Sequence, residues 1–222
     1  MIASLIKLIL SNPSVPLLVL GLIGSLVALL FKKRPRSKSV IVEAFVAYFF
    51  LFSIGIGYLN NFLMHVVFAE YTAKFIGWAN SPFQLEVGFA SLGMGVAGLI
   101  AFRQNLTFRL ATLIPPAFFL WGAAGGHIYQ IFKTHNMAQG NAGAILWTDI
   151  LLPIIGFALL YAQWKTVQLT ESAAQHPKKA KVLDETCKKQ GNEELNQPVQ
   201  RTPLRGGADL HVRTREWRNR IA

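Results

Sequence analysis

The chain has 222 residues, of which 52% are hydrophobic and 15% charged, with a formal net charge of +11. Soluble domains carry about 25% charged residues, so a single water-soluble globular core is excluded. The deficit is local: residues 40–163 hold few charges, whereas 164–222 are polar and basic, and this split predicts a membrane domain followed by a soluble tail.

The positive charge is clustered. Five basic residues lie in Lys32–Lys38 and twelve more from Lys165 onward. Clusters beside apolar spans are topology signals and contacts for lipid headgroups. A nucleic-acid partner is disfavoured, because no recognition motif accompanies the basic tail. The single cysteine, Cys187, excludes an intrachain disulfide and a cysteine-based metal site.

The chain opens with a weakly amphipathic segment, MIASLIKLIL, and then an apolar run from Val15 to Phe31. Only Lys7 precedes that run and KKRPR follows it, which predicts a retained first span and not a cleaved signal peptide. Residues 40–68 are longer than the ~20 residues that cross a bilayer, so this helix tilts or extends past the membrane. Tyr58, Asn61 and His65 share one face of it. Residues 69–82 form a short connection with Trp78 as an interfacial anchor. Ser81-Pro82 predicts a helix start, with Ser81 as N-cap and Pro82 at the first helical position.

The span 83–102 carries a stripe of small residues, Gly88, Ser91, Gly95 and Gly98, suited to close helix approach. It also carries a carboxylate, Glu86, one turn inside its start. The loop Arg103–Arg109 returns two arginines to the basic side. A span over about 110–132 contains Pro115-Pro116, which predicts a kink. It then has the GxxxG spacing of Gly122 and Gly126, followed by His127 and Gln130. Residues 133–143 form a polar loop in which His135 and Asn136 read as solvated. The last span, about 144–163, has Asp149 near its start and Pro153 four residues later.

The fold class this predicts is all-α: a multi-span transmembrane bundle of four core helices plus one N-terminal span. Residues 1–39 form the N-terminal segment and basic loop, 40–163 the four-helix domain, and 164–222 a basic, largely disordered cytoplasmic tail. The positive-inside rule places the N-terminus outside and the C-terminus in the cytoplasm. That topology brings His65, Glu86, His127 and Asp149 within about 10 Å of the outer interface. Ionisable groups in spans usually face a bundle interior or a cavity. Glu86, His127, Asp149, His65, Asn141 and Gln130 are therefore the pocket candidates. Such a set suits helix pairing, a solute or proton site, or a metal held by Glu86, His127 and Asp149.

No Walker loop, GxGxxG, HExxH or GxSxG motif is present, which argues against a familiar enzyme class, and no cofactor is indicated. The segments SPFQLEVGFASLGMGVAGLIAF, LWGAAGGHIYQI and NMAQGNAGAILWTDILLPIIG resemble an uncharacterised bacterial family of small integral membrane proteins. The likeness covers about residues 41–163, and Glu86, His127, Asn141 and Asp149 match its motif positions. It leaves the first span and the tail outside as additions. A looser likeness, with no shared motif, is to small DoxX-like four-helix proteins linked with quinone or thiol redox chemistry.

The expectation is an inner-membrane protein whose outward-facing polar pocket takes a small solute, a lipid headgroup or a proton. The alternatives are a quinone- or metal-linked redox protein and an assembly protein that recruits a partner through its tail. Expected partners are membrane lipid and a second copy or another membrane protein.

Overall fold

Inside a bilayer every backbone amide must find its partner within the segment, so long apolar stretches become helices. The computed structural model describes residues 12–195. They are helical, with no strand, and four helical stretches are long and apolar enough to cross a membrane: Lys38–Val66, Phe83–Ala101, Leu106–Thr134 and Gln139–Ser172.

Helix α1, Ser14–Leu30, is shorter at 17 residues. It buries Gly21, Ser25 and Leu29, one turn apart on one face. Ser25 Oγ donates to Gly21 O at 2.7 Å and Ala44 O at 3.3 Å, tying α1 to the next helix. The segment MIASLIKLIL lies outside the described residues.

Helix α2, Lys38–Val66, starts under a Ser37 cap whose side chain accepts from Val40 N. Its middle, Phe50–Ile56, winds as a π-helix, and ordinary helix resumes at Gly57. Periodicity gives no warning of this change, which shifts the faces of the two halves relative to each other. The connection expected over 69–82 contains a helix, α3, Ala69–Ile76, ended by Gly77 at φ 77°. Thr72 Oγ1 donates to Met64 O at 2.7 Å and holds α3 against the end of α2.

Helix α4 is Phe83–Ala101. Ser81 does not cap it through its side chain. Pro82 occupies the cap position, and the backbone carbonyls of Ser81 and Pro82 close the first turn. Gly88, Ser91, Gly95 and Gly98 are buried along α4. A Cβ on Gly98 would lie 2.6 Å from the Gly55 nitrogen, and one on Gly95 would lie 2.9 Å from the Leu59 nitrogen. At these points the backbone of α4 touches that of α2.

Helix α5, Leu106–Thr134, begins before the expected residue 110 because Asn105 caps it, accepting from Phe108 N at 3.0 Å. Both Pro115 and Pro116 lie inside the continuous helix. Tyr58 of α2 donates to Pro116 O at 3.1 Å. A short α6, Gln139–Ala142, leads into α7, Ala144–Leu195. Residues 164–195, expected to be unstructured, continue this helix. Their Lys, Glu, Gln and Ala are strong helix formers, and a helix already nucleated by a span needs only propagation. The terminal HVRTREWRNRIA segment lies outside the described residues. The described residues divide into two units after Ala173.

The core of the first unit is Val46, Phe49, Phe50, Ile54, Tyr58, Leu113, Leu152 and Leu160. Outward-facing positions are also apolar, among them Phe83, Phe89, Phe118, Phe132 and Ile154. A helix surface apolar on all sides belongs in lipid.

Candidate functional site

Asn141 organises the site. It lies fully buried in α6, and every polar valence of its amide is used. Its Nδ2 donates to His127 O at 3.2 Å and to Asn136 O at 2.9 Å. Its Oδ1 faces Trp78 Nε1 at 3.0 Å and His127 Nδ1 at 2.9 Å. An indole nitrogen only donates, so the atom it faces is the amide oxygen. His127 Nδ1 must then also carry its hydrogen, and the tautomer follows from the network.

The other ring nitrogen, Nε2, lies 3.5 Å from Asp149 Oδ2. With Nδ1 already protonated, a bare Nε2 facing a bare carboxylate would set two acceptors together. The contact is therefore an ion pair only when His127 is protonated, and at 3.5 Å it is longer than an ordinary hydrogen bond. Both residues are buried. Trp78 packs its ring on the imidazole with centroids 5.3 Å apart. Pro153 cannot donate to the Asp149 carbonyl, so a second acceptor lies beside the carboxyl.

The pair opens on a cavity of about 410 Å³ between α2, α3, α5 and α7. Its walls are mostly apolar, for example Phe75, Phe119, Leu120 and Leu152. Polar groups on the walls include Tyr58, Asn61, His65 and Ser53. Residues Pro13 and Ser14, where α1 begins, also line it. Asn61 Nδ2 donates to Ser91 Oγ at 2.8 Å, and His65 Nδ1 bonds Gln84 Oε1. Ser53 is different: it is 5% exposed, and its hydroxyl has no hydrogen-bond partner.

The structure brings together His127, Asn141 and Asp149, and it sets His65 on the same cavity. It does not bring Glu86 to them. Glu86 is exposed in the first turn of α4, where a carboxylate suits the positive end of the helix dipole. Gln130 turns instead to its own helix end, accepting from Thr134 Oγ1 at 2.9 Å. A metal held by Glu86, His127 and Asp149 thus lacks one of its ligands. Among the described residues no three His, Cys, Asp or Glu side chains are grouped to hold a metal ion. Gly122 and Gly126 do not form a helix-packing stripe. A Cβ on Gly122 would meet nothing within 4 Å, and one on Gly126 would meet the Trp78 ring at 3.2 Å. Trp78 thus serves the network as a donor as well as lying near the surface. Asn136, expected to be solvated, donates to Ile76 O at 3.0 Å and joins the two loops on this side.

A second polar cluster occupies the opposite end of the bundle. Arg109, expected as a loop charge, is fully buried inside α5. It makes a two-pronged contact with Glu43 of α2, both distances 2.8 Å. It also donates to Ala101 O and Phe102 O at the end of α4, both at 2.9 Å. Gln163 of α7 donates to Glu43 at 2.8 Å. The signal was in the sequence: Arg109 lies an integral number of helical turns from His127, on the same face of α5.

One family model matches the chain, over residues 11–168, and it describes a family of unknown function. The match takes in α1, so this helix belongs to the common domain and is not an addition ahead of residue 41. No curated protein and no solved structure matches the chain.

Proposed function

The chain belongs to DUF6790, a family of unknown function, and we propose that it binds a small, mainly apolar molecule inside the membrane. The observation that carries this reading is the cavity itself. Its ~410 Å³ volume falls within the 300–1,000 Å³ range of small-molecule sites. Its wall is apolar except for a few convergent polar groups, the pattern that orients a ligand by one end. The His127–Asp149 pair supplies that orienting contact. Asn141 and Trp78 keep the imidazole in one orientation, as outer-shell partners do for functional histidines.

In this reading the protein lies in the inner membrane with its N-terminus outside and its C-terminus in the cytoplasm, and the cavity faces outward. The basic loop Lys32–Lys38 and Arg103 lie on the cytoplasmic side. The chain binds its molecule without cleaving bonds. No nucleophile stands activated beside the pair, and the His127 Nδ1 hydrogen is committed to Asn141.

Gly122 provides the test, because it lines the cavity and an added side chain there meets open space. Gly122→Phe should fill the cavity and leave the helices in place. Wild-type protein purified from its own membranes in mild detergent is expected to carry a bound small molecule in native mass spectrometry. Gly122→Phe should lose it while staying folded, with an unchanged helical circular dichroism spectrum. An empty wild-type protein, or equal occupancy in both, would reject the proposal.

A further inference from the structure

Resting on that reading, we infer that the occupant is an uncharged molecule with two hydrogen-bonding groups, one meeting the His127–Asp149 pair and the other Ser53 Oγ. Two independent observations carry this. The first is the charge of the wall. Among the described residues that line the cavity there is no Lys, Arg or Glu. The one carboxylate among them, Asp149, already faces His127 Nε2 at 3.5 Å, so it does not stand as an unpartnered anion. His65 has its Nδ1 on Gln84. A phosphate or carboxylate headgroup would find no dedicated cation here, and an ammonium would find no unpaired anion. Burying either ion without a counter-charge is costly, whereas a hydroxyl or carbonyl is satisfied by a single hydrogen bond.

The second observation is Ser53. Buried polar atoms are almost always hydrogen-bonded, and an unpaired one calls for an explanation. Ser53 Oγ is buried, lacks a partner and lines the cavity. It lies in the π-helical turn of α2, a feature often found at functional sites. Tyr58, on the same wall one turn later, already donates to Pro116 O, so the Ser53 hydroxyl is left for the occupant. Ser53 and His65, both on the cavity wall, lie about three turns apart on α2, so the cavity extends along that helix.

Defined probes test this: decan-1-ol, the α,ω-diols from hexane-1,6-diol to decane-1,10-diol, decylammonium and decyl phosphate. Each is titrated calorimetrically into protein in nanodiscs, with empty nanodiscs as the blank. One diol length is expected to bind about threefold to tenfold more tightly than decan-1-ol, the worth of one further hydrogen bond. Ser53→Ala should abolish that advantage while leaving decan-1-ol binding and the melting temperature unchanged. Gly122→Phe should remove binding of both. Tighter binding of either ion than of the alcohol, or a diol advantage that survives Ser53→Ala, would overturn the inference and leave the cavity reading standing. Alcohol binding that Gly122→Phe does not reduce would overturn the cavity reading itself.

Discussion

Arg109 is a guanidinium with no access to water, and this governs what its neighbours are worth. Glu43, its partner, is half exposed, with a side-chain accessibility of 51%. By exposure alone Glu43 would count as a surface residue whose loss costs little. The pairing reverses that expectation. Glu43→Leu leaves a cation buried without compensation, which costs on the order of 3–5 kcal/mol. Arg109→Leu frees a carboxylate that water can rehydrate and takes a donor from Phe102 O, while Ala101 O keeps Gln104 N, a loss of about 1–3 kcal/mol. The half-exposed residue is therefore expected to be the more damaging one to remove. The double variant should be more stable than Glu43→Leu alone, because it takes the stranded cation away. Unfolding of all three variants in one detergent measures the cycle. A Glu43→Leu cost no larger than that of Arg109→Leu would sink the argument.

Between elements, the contact that most constrains the bundle is α2 on α4. Gly98 meets backbone, not a side chain that can swing aside, so even a methyl group there must push the helices apart. Gly98→Ala is expected to cost about 1–3 kcal/mol, the usual penalty of overpacking. Gly93 on the same helix has nothing within 4 Å of its Cβ position, so Gly93→Ala should be neutral or slightly stabilising. Equal melting temperatures for the two variants would contradict this packing. The small-residue pattern of α4 was visible in the sequence, because glycine at three- and four-residue spacing has few other uses in an apolar helix. Its counterpart on α2 was not, since Gly55 lies in the π-helical turn, where ordinary periodicity gives the wrong face. Glu86 failed for a different reason. Loop charges fix the depth of a residue but not its direction, and Glu86 precedes Gly88 by about 200° of helix rotation. It was the buried stripe, not the depth, that assigned it to the outer surface. His127 and Asp149 could be chosen by depth. The role of Asn141, the proton position and Ser53 needed the three-dimensional network, because each depends on partners from distant elements.

Across the whole molecule, α5 carries a basic side chain near each end of one face, Arg109 and His127, about five turns or ~27 Å apart. That separation is close to the ~30 Å thickness of the hydrocarbon core. Each meets a carboxylate from another helix, Glu43 on α2 and Asp149 on α7. Polar groups at these depths are tolerated because they are paired with each other, and the apolar stretch between them matches the bilayer. Burial of Arg109 also removes it from the set of free charges that decide orientation. The remaining cations still favour one side: Lys32–Lys38 and Arg103 at the Arg109 end, against Lys74 and Lys133 at the His127 end. The positive-inside bias therefore survives the correction, and the proposed orientation keeps the His127 end outward. Single cysteines test it in a Cys187→Ser background. Met137 is 71% exposed in the loop after α5, and Gln104 is exposed in the loop before it. In intact cells Met137→Cys should react with a membrane-impermeant maleimide, and Gln104→Cys should react only after the membrane is opened. The reverse pattern would invert the molecule and turn its cavity towards the cytoplasm. Labelling of both in intact cells would mean that the four long helices do not cross the bilayer as the charge bias requires.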